Sequence, residues 1–286
     1  MQDLTGKTAV ITGGASGIGL ALAHRFGAAG MRLLVADIEE PALEAATREL
    51  RDAGNEVAAT VTDVSDLSQI EALAATAAET YGNVHLLCNN AGVGGGGSLL
   101  MPDGDLDMWK WTIDIDLWGV IYGCKVFMPA MAAHGEGAHV VNTASMAGLG
   151  APAFMGAYSV AKYGVVSLSE SLAREAQVMG LDIGVSVLCP AFVATAIADS
   201  TRNLPADIQA PPTETGELGD MVRRLVASGM PPARVADAVH DAVVDNEFWI
   251  LTHEESKEAV TARADEIVTG TNPSARAGFR EADLAD

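Results

Sequence analysis

Short runs of β-branched residues and leucine alternate along the chain with longer segments rich in alanine, leucine and glutamate. The first kind of run favours buried strands and the second favours helices. Strands that alternate with helices form a parallel sheet, and right-handed crossovers put helices on both faces. We therefore predict an α/β fold with seven strands, at Thr8–Ile11, Arg32–Ala36, Val57–Val61, Leu86–Asn89, His139–Asn142, Gly184–Leu188 and Phe248–Leu251.

The length favours a single domain. A chain of 286 residues with 49% hydrophobic side chains can bury one large core, and we expect that domain to cover residues 1–252. Residues 196–232 interrupt the pattern with several prolines and glycines; we interpret them as a mobile substrate lid, with an inert surface excursion as the alternative. After residue 252, a helix is predicted over Glu254–Val268, and a loose tail or docking arm follows to residue 286.

The charge excludes several partners. A formal net charge of −21 repels nucleic acid and anionic membranes, and no uninterrupted apolar run reaches the length of a membrane span. No signal peptide is recognisable at the start, so we expect a cytoplasmic protein. The three cysteines, Cys88, Cys124 and Cys189, lie in apolar runs without paired spacing, which predicts buried free thiols and neither disulfides nor a metal site.

A glycine-rich turn follows the first predicted strand. Thr12-Gly-Gly-Ala-Ser-Gly-Ile-Gly19 leads into a helix, where backbone N–H groups and the helix N-terminus can hold a pyrophosphate. A side chain at Gly13, Gly17 or Gly19 would hold the phosphates away or block helix–sheet packing. The sequence therefore predicts a dinucleotide site that also includes Ser16 and Ile18, although a tight turn without a ligand is the alternative.

Asp37 ends the second predicted strand. Its carboxylate can accept hydrogen bonds from the adenosine ribose hydroxyls and would repel a 2′-phosphate. No Lys or Arg lies in the glycine turn or directly after Asp37, where Ile38, Glu39 and Glu40 follow, so a 2′-phosphate would lack a counter-charge. These features favour NAD over NADP. The alternative for Asp37 is a helix cap before Pro41.

A serine and a Tyr-x-x-x-Lys pair follow the fifth strand. Ser145 precedes Tyr158 and Lys162, which lie in a segment predicted to be helical over residues 157–178. Residues i and i+4 share a helix face, so the ammonium can lie beside the phenol. Because a free tyrosine has a pKa of about 10, bringing it near 7 needs roughly 4 kcal/mol of phenolate stabilisation. Lys162 is a source of that stabilisation, and Tyr158 becomes a candidate proton-transfer group.

Together these motifs resemble the short-chain dehydrogenase/reductase family, in the single-domain branch that carries Tyr-x-x-x-Lys. The resemblance covers roughly residues 4–252 and implies a Rossmann-type doubly wound sheet with a nicotinamide cofactor across the carboxyl ends of the strands. It implies an oxidoreductase that passes hydride between the cofactor and an alcohol or ketone. The segments that carry it, in the family's order and spacing, are Thr12–Gly19, Asp63-Val64, Asn89–Gly92, Ser145, Tyr158, Lys162 and Pro190–Thr195.

The resemblance also implies individual roles. Asp63 would contact the adenine, and residues 89–92 would line the adenosine ribose and support the central strand. Lys162 would hold the nicotinamide ribose hydroxyls, while Ser145 would hydrogen-bond the substrate oxygen. The implied cofactor-binding set is Gly13, Ser16, Gly17, Ile18, Gly19, Asp37, Asp63, Val64, Asn90, Ala91, Gly92, Tyr158, Lys162, Pro190, Val193 and Thr195.

Asp116 departs from the family pattern. The family usually has Asn at this position, where it supports a water in a proton relay to the lysine. An ionised Asp can accept from water but cannot donate, and its charge would raise the pKa of the lysine. We include Asp116 in the catalytic set and expect an active enzyme with an altered pH profile.

The segments expected around the nicotinamide offer apolar side chains and few charges. They include Met146, Phe154, Met155 and Phe192, and these favour a hydrophobic secondary alcohol or ketone as substrate, although core or subunit contacts would also account for them. The family resemblance further implies a homotetramer or homodimer, with the helices of residues 107–131 and 157–179 pairing across interfaces.

Three other functions stay open. An NADP-dependent ketoreductase acting on carrier-bound substrates is disfavoured by Asp37 and by the acidic surface. A sugar-nucleotide epimerase or dehydratase could use the same Ser, Tyr and Lys, but it needs a larger C-terminal domain than the residues after 184 readily provide. A catalytically silent dinucleotide-binding regulatory protein is conceivable because of Asp116, yet it would not need Ser145, Tyr158 and Lys162 together.

Overall fold

The computed structural model describes residues 1–95, 98–100, 106–208 and 216–273. Strands and helices alternate along most of this chain. The strands are β1 Thr8–Thr12, β2 Arg32–Asp37, β3 Val57–Val61, β4 Leu86–Asn89, β5 Ala138–Thr143, β6 Ile183–Leu188 and β7 Trp249–Ile250. The α-helices are α1 Gly17–Ala28, α2 Glu40–Asp52, α3 Leu67–Tyr81, α4 Leu106–Ile113, α5 Gly119–His134, α6 Gly156–Met179, α7 Glu217–Ala227, α8 Pro232–Asp245 and α9 Glu255–Thr269.

All seven strands form one parallel sheet in the order β3-β2-β1-β4-β5-β6-β7. The order reverses beside β1, which pairs with β2 on one side and with β4 on the other. In open α/β sheets, ligands bind outside the carboxyl ends of the strands at such a reversal. The predicted Rossmann-type doubly wound fold is confirmed.

The core has two layers because neighbouring strand residues point to opposite faces of the sheet. On one face, Ile11 of β1 packs in a buried cluster with Leu22 and Phe26 of α1. On the other face, Val10 belongs to a cluster with Phe127 of α5 and other residues of α3, α5 and α6. Helices therefore cover both faces, as predicted. The three cysteines are buried free thiols, also as predicted.

The seventh strand is shorter than the sequence predicted. Phe248 and Leu251 lie outside β7, which comprises only Trp249 and Ile250. The backbone carbonyl of Phe248 still accepts a hydrogen bond of 2.8 Å from the N–H of Val187. The pairing to β6 therefore begins at Phe248, but β7 lies at the sheet edge with a single neighbouring strand and does not extend further.

A π-helical turn, Asp114–Trp118, joins α4 to α5. The resulting helical stretch, Leu106–His134, is long and apolar enough to cross a membrane by length and composition alone. The core helix of a globular protein meets the same criterion, and here Trp111, Phe127 and Met131 are buried inside the fold. Packing thus accounts for much of the apolar character of this stretch.

The segment after β6 lies against the rest of the domain. A 3-10 helical segment spans Ile197–Asn203, and the side chains of Leu204 and Ile208 pack against a small cluster formed by Val93, Met108 and Trp111. Residues 209–215 of the predicted lid, and residues 274–286 of the predicted tail, lie outside the described residues. The lid remains a prediction, while α9 begins and ends one residue later than the terminal helix that the sequence predicted.

Buried His139 makes the fold sensitive to acid. Its side chain on β5 is 1% exposed, and Nε2 lies 2.7 Å from Ser186 Oγ, whose own hydroxyl donates to the carbonyl of Glu247. Burial lowers the pKa of His139 to about 3. In the unfolded chain His139 is protonated as the pH falls below about 6.5, whereas in the folded chain it stays neutral. The free energy of unfolding therefore decreases as the pH falls below that value.

We expect the free energy of unfolding to decrease between pH 6.5 and 5, with His139 contributing roughly 2 kcal/mol of the loss. Denaturant unfolding of wild type and of His139→Asn at several pH values measures this. The variant should show a shallower decrease, because Asn binds no proton. His24→Asn, a surface change beside Glu49, serves as the control and should keep the wild-type slope. Parallel slopes for wild type and His139→Asn would contradict this account.

Candidate active site

A cleft of about 2080 Å³ lies at the carboxyl ends of the strands. Its walls come from the β1–α1 turn, the segments after β2 to β6, the segment after residue 195 and helix α9. Most of the residues that the sequence predicted for a site line this cleft. They are Gly13, Ser16, Gly17, Ile18, Asp37, Asp63, Val64, Asn90, Ala91, Gly92, Ser145, Met146, Phe154, Met155, Tyr158, Lys162, Pro190, Phe192, Val193 and Thr195.

The glycine turn opens the N-terminus of α1 to the cleft. Gly13 and Gly17 have φ values of +63° and +53°, a region that favours glycine. A Cβ on Gly13 would lie 2.7 Å from the Cα of Ala91. Ser16 precedes α1, but its side chain makes no capping hydrogen bond to the first turn. Ser16 therefore does not compete with an anion for the first N–H groups of the helix. This cradle fits a dinucleotide pyrophosphate.

Gly19 does not line the cleft. A Cβ there would lie 2.0 Å from the carbonyl oxygen of Gly13 and 2.7 Å from Nδ2 of Asn90. Close packing of α1 against the turn thus requires glycine at position 19, which is one of the two roles that the sequence predicted for it. Contact of Gly19 with a cofactor stays a prediction. Asn89 is likewise directed into the core, where its Nδ2 donates to Asn142 Oδ1 over 2.9 Å.

The carboxylate of Asp37 is fixed at the end of β2. Its Oδ2 accepts a 3.0 Å hydrogen bond from the N–H of Ala15, and its Oδ1 accepts one of 3.0 Å from the N–H of Glu39. Each oxygen keeps a further lone pair, so the carboxylate can also accept from the hydroxyls of a ligand. The next wall, after β3, contains Asp63, whose Oδ1 accepts from both the N–H and the hydroxyl of Ser65.

Ser145, Tyr158 and Lys162 meet at the other end of the cleft. Ser145 lies two residues after the end of β5. Its Oγ accepts a 3.1 Å hydrogen bond from the N–H of Ala147. Tyr158 and Lys162 lie on one face of α6, with the ammonium nitrogen 5.4 Å from the centre of the phenol ring. The ammonium also donates to the carbonyl of Thr143 over 3.2 Å. The predicted grouping of the three side chains is thus present.

The surroundings of Tyr158 oppose its ionisation in the protein alone. Burial raises the pKa of the phenol, and this effect outweighs the positive charge of Lys162 and a hydrogen bond with Ser145, both of which lower it. The negative charge of Asp116 raises the pKa further. Lys162 therefore contributes the expected stabilisation without bringing the phenol below its ordinary pKa.

Asp116 lies behind the cleft wall, in the π-helical turn. It is completely buried, its Oδ1 accepts a 2.8 Å hydrogen bond from the N–H of Val93, and its Oδ2 lies 3.5 Å from the Lys162 nitrogen. That distance permits an ion pair but is long for a hydrogen bond, and Oδ2 has no hydrogen-bond partner. Burial raises the pKa of Asp116, while Lys162 and the N–H of Val93 oppose that change.

Apolar side chains surround the end of the cleft near Tyr158. Met146, Phe154, Met155 and Phe192 all line it. Phe154 is 59% exposed and has a φ of +66°, which is rare for a bulky residue. This arrangement puts a large ring at the rim of the cleft, where it can meet an apolar ligand.

Sequence reasoning missed two pairs of cleft residues. Arg202, from the 3-10 segment, pairs with Glu39 after β2, and no local sequence pattern predicts that this cation lies close to the end of β2. Arg263 of α9 lies over the ring of Tyr163 on α6, with its guanidinium carbon 5.1 Å from the ring centre. Only the tertiary fold brings these partners together.

A family model for short chain dehydrogenases matches residues 7–205. The crystal structure of a short chain dehydrogenase/reductase from Burkholderia phymatum in complex with NAD is 41% identical, has a TM-score of 0.92, and covers 96% of this chain and 98% of that chain. The dinucleotide cleft and the Ser, Tyr and Lys grouping define an oxidoreductase. This chain belongs to the short-chain dehydrogenase/reductase family, as predicted.

Curated relatives span nearly the whole chain. The CLA biosynthesis dehydrogenase/reductase of Lactiplantibacillus plantarum is 32% identical over 280 residues, which is 96% of this chain and 97% of the relative. The C alpha-dehydrogenase of a Sphingobium species is 32% identical over 275 residues, or 96% of this chain and 89% of the relative. Both are named as dehydrogenases.

The position of Asp116 generates a prediction for the pH dependence of catalysis. Because its charge raises the pKa of Tyr158, Asp116→Asn should shift the ascending, acidic limb of the pH profile of alcohol oxidation to lower pH, since the phenolate then forms at lower pH. The pH profile of kcat/KM measures the shift. Asp114→Asn is the matched control because it removes the same charge from the same turn. Asp114 pairs with Lys110 outside the cleft, so its loss should leave the profile unchanged. Superimposable profiles for wild type and Asp116→Asn would count against this role.

Proposed function

We propose that this oxidoreductase interconverts a hydrophobic secondary alcohol and its ketone with NAD as the hydride carrier. The observation that carries the proposal is the meeting of Ser145, Tyr158 and Lys162 in the same cleft that the glycine turn and Asp37 line. One end of the cleft is built for a dinucleotide and the other for moving a proton.

The residues of the chain divide the work of alcohol oxidation. The Tyr158 phenolate takes the hydroxyl proton, while the Ser145 hydroxyl donates a hydrogen bond to the same substrate oxygen. Lys162 stabilises the phenolate by its charge, and its buried position near Thr143 fixes the ammonium. The nicotinamide supplies hydride acceptance, and its positive charge in the oxidised form also favours the phenolate. In ketone reduction the phenol returns the proton.

Two features support NAD. The Asp37 carboxylate is fixed beside the cleft by two backbone N–H groups, where it would meet a 2′-phosphate with like charge. The similar Burkholderia structure is a complex with NAD. An NADP-dependent ketoreductase is the rival function, and a preference for NADPH in binding would favour it.

Apolar lining supports a hydrophobic substrate. Met146, Met155 and Phe192 offer no charge near Tyr158, and burying apolar ligand surface against them is favourable. The names of the two relatives, a dehydrogenase/reductase and a dehydrogenase, support a redox reaction of this kind.

We also propose a cytoplasmic homodimer or homotetramer. Large apolar side chains are exposed on the helices that the sequence assigned to interfaces, with Trp118 44%, Val160 52% and Val178 88% exposed. Pairing of these helices across a two-fold axis would bury them.

The assembled mass tests this interface. Sedimentation should give a multiple of the 29.5 kDa chain mass, and Trp118→Ala should increase the dissociated fraction because it removes a large contact surface. Leu67→Ala, which trims an exposed apolar residue of α3, is the control and should leave assembly unchanged. A monomer at all concentrations would overturn the proposal.

The catalytic assignment is tested with Tyr158→Phe. Loss of the phenol should lower NAD-dependent oxidation of a panel of hydrophobic secondary alcohols at least about 100-fold, the scale of general acid–base catalysis, while NADH binding followed by fluorescence persists. Tyr81→Phe, a change on α3 outside the cleft, should keep full activity. If wild type binds NADH but turns over no alcohol or ketone at any pH, the silent regulatory function replaces this one.

A further inference from the structure

The segment Ile197–Asn203, hereafter the strap, forms part of the cleft wall. It begins just after Thr195, beside Gly17, and its far end reaches Glu39, two residues beyond Asp37 on the dinucleotide side. A middle anchor is Ser200, which is 5% exposed and whose Oγ accepts a 3.0 Å hydrogen bond from the N–H of Gly94. The strap is therefore attached to segments that follow two different strands.

The far end of the strap is held by one carboxylate oxygen. Oε1 of Glu39 accepts hydrogen bonds from Nε and Nη2 of Arg202 at 2.9 and 2.6 Å, and from Nδ2 of Asn203 at 2.9 Å. These hydrogen bonds lower the pKa of Glu39, so the carboxylate is ionised at neutral pH. The Arg202 side chain is only partly exposed, at 39%.

The guanidinium of Arg202 is almost fully used. Its Nη1 donates to the carbonyls of Ala196 and Asp199 at 3.0 and 2.9 Å, in addition to the two hydrogen bonds to Glu39. A guanidinium is the preferred partner of a phosphate, because it offers two parallel N–H groups and a permanent charge. Here a carboxylate already occupies that face of Arg202.

We propose that Glu39 is a specificity-determining residue, which holds Arg202 away from a 2′-phosphate and so supplements Asp37 in favouring NAD. This inference rests on the proposed NAD-dependent function. The sequence alone suggested that a 2′-phosphate would lack a counter-charge. The fold brings Arg202 to Glu39, two residues beyond Asp37, and pairs its charge there. Without Glu39, Arg202 would stand at the dinucleotide end of the cleft with free N–H groups.

The test is a double-mutant cycle on dinucleotide binding. Dissociation constants of NADH and NADPH are measured by fluorescence for wild type, Glu39→Ala, Arg202→Ala and the double variant. Glu39→Ala should strengthen NADPH binding relative to NADH about tenfold, the scale of one charge-assisted contact. The double variant should lose most of that gain. Glu39→Gln, which keeps an acceptor for Arg202 but removes the charge, should give a smaller gain.

A surface variant controls for overall charge. Glu44→Ala removes one negative charge from the exposed face of α2, where Glu44 pairs with Arg48, and it should leave the NADPH to NADH ratio unchanged. Thermal unfolding and retained NADH binding establish that each variant is folded. An equal ratio in Glu39→Ala and Glu44→Ala, or a gain that survives in the double variant, would overturn the role of Glu39. Wild type that binds neither dinucleotide would instead refute the proposed function.

Discussion

The buried ammonium of Lys162 is the constraint on which the rest of the site depends. At 3% exposure it has lost nearly all contact with water, and a buried charge is stable only with partners in place. The Thr143 carbonyl, the Asp116 carboxylate and the Tyr158 ring are those partners. They come from the end of β5, from the π-helical turn and from α6, so the ammonium fixes three separate elements relative to one another.

Other charged side chains of the cleft also have hydrogen-bond partners within the protein. Both oxygens of Asp37 are oriented by backbone N–H groups, and the charge of Arg202 is matched by Glu39. Polar groups at the strand ends are thus oriented before any ligand arrives, which reduces the reorganisation needed on binding. Met146 and Phe192 contribute apolar surface to the same cleft, which can bury apolar parts of a ligand.

The fold and much of the site could be predicted from the sequence because both depend on local signals. The alternation of strand-like and helix-like segments predicted the sheet, and all seven of its strands agree with the prediction within a residue at each end. The glycine turn and the Tyr-x-x-x-Lys spacing can each be recognised from a few neighbouring residues. The hydrogen-bond partner of Asn89, by contrast, is the distant Asn142, and no local signal in the sequence identifies it.

Long-range pairs could not be predicted for the same reason. Arg202 and Glu39 are 163 residues apart in the chain, and no local pattern marks either as the partner of the other. The π-helical turn at Asp114–Trp118 also has no clear sequence signal; both the turn and α4 pack against the distant α6. The direction in which burial changes the pKa of Tyr158 could not be predicted either, because it depends on the side chains that surround the phenol in the fold.

Gly92 carries a consequence for how this site can vary. A Cβ on Gly92 would lie 3.0 Å from Oδ1 of Asp116 and 3.3 Å from the Lys162 nitrogen, so it would crowd both members of the buried ion pair. Positions 92, 116 and 162 therefore cannot drift independently. A lineage that enlarged position 92 would first have to shrink or move its charged neighbours. This glycine therefore restricts which variants of the buried ion pair are accessible to evolution.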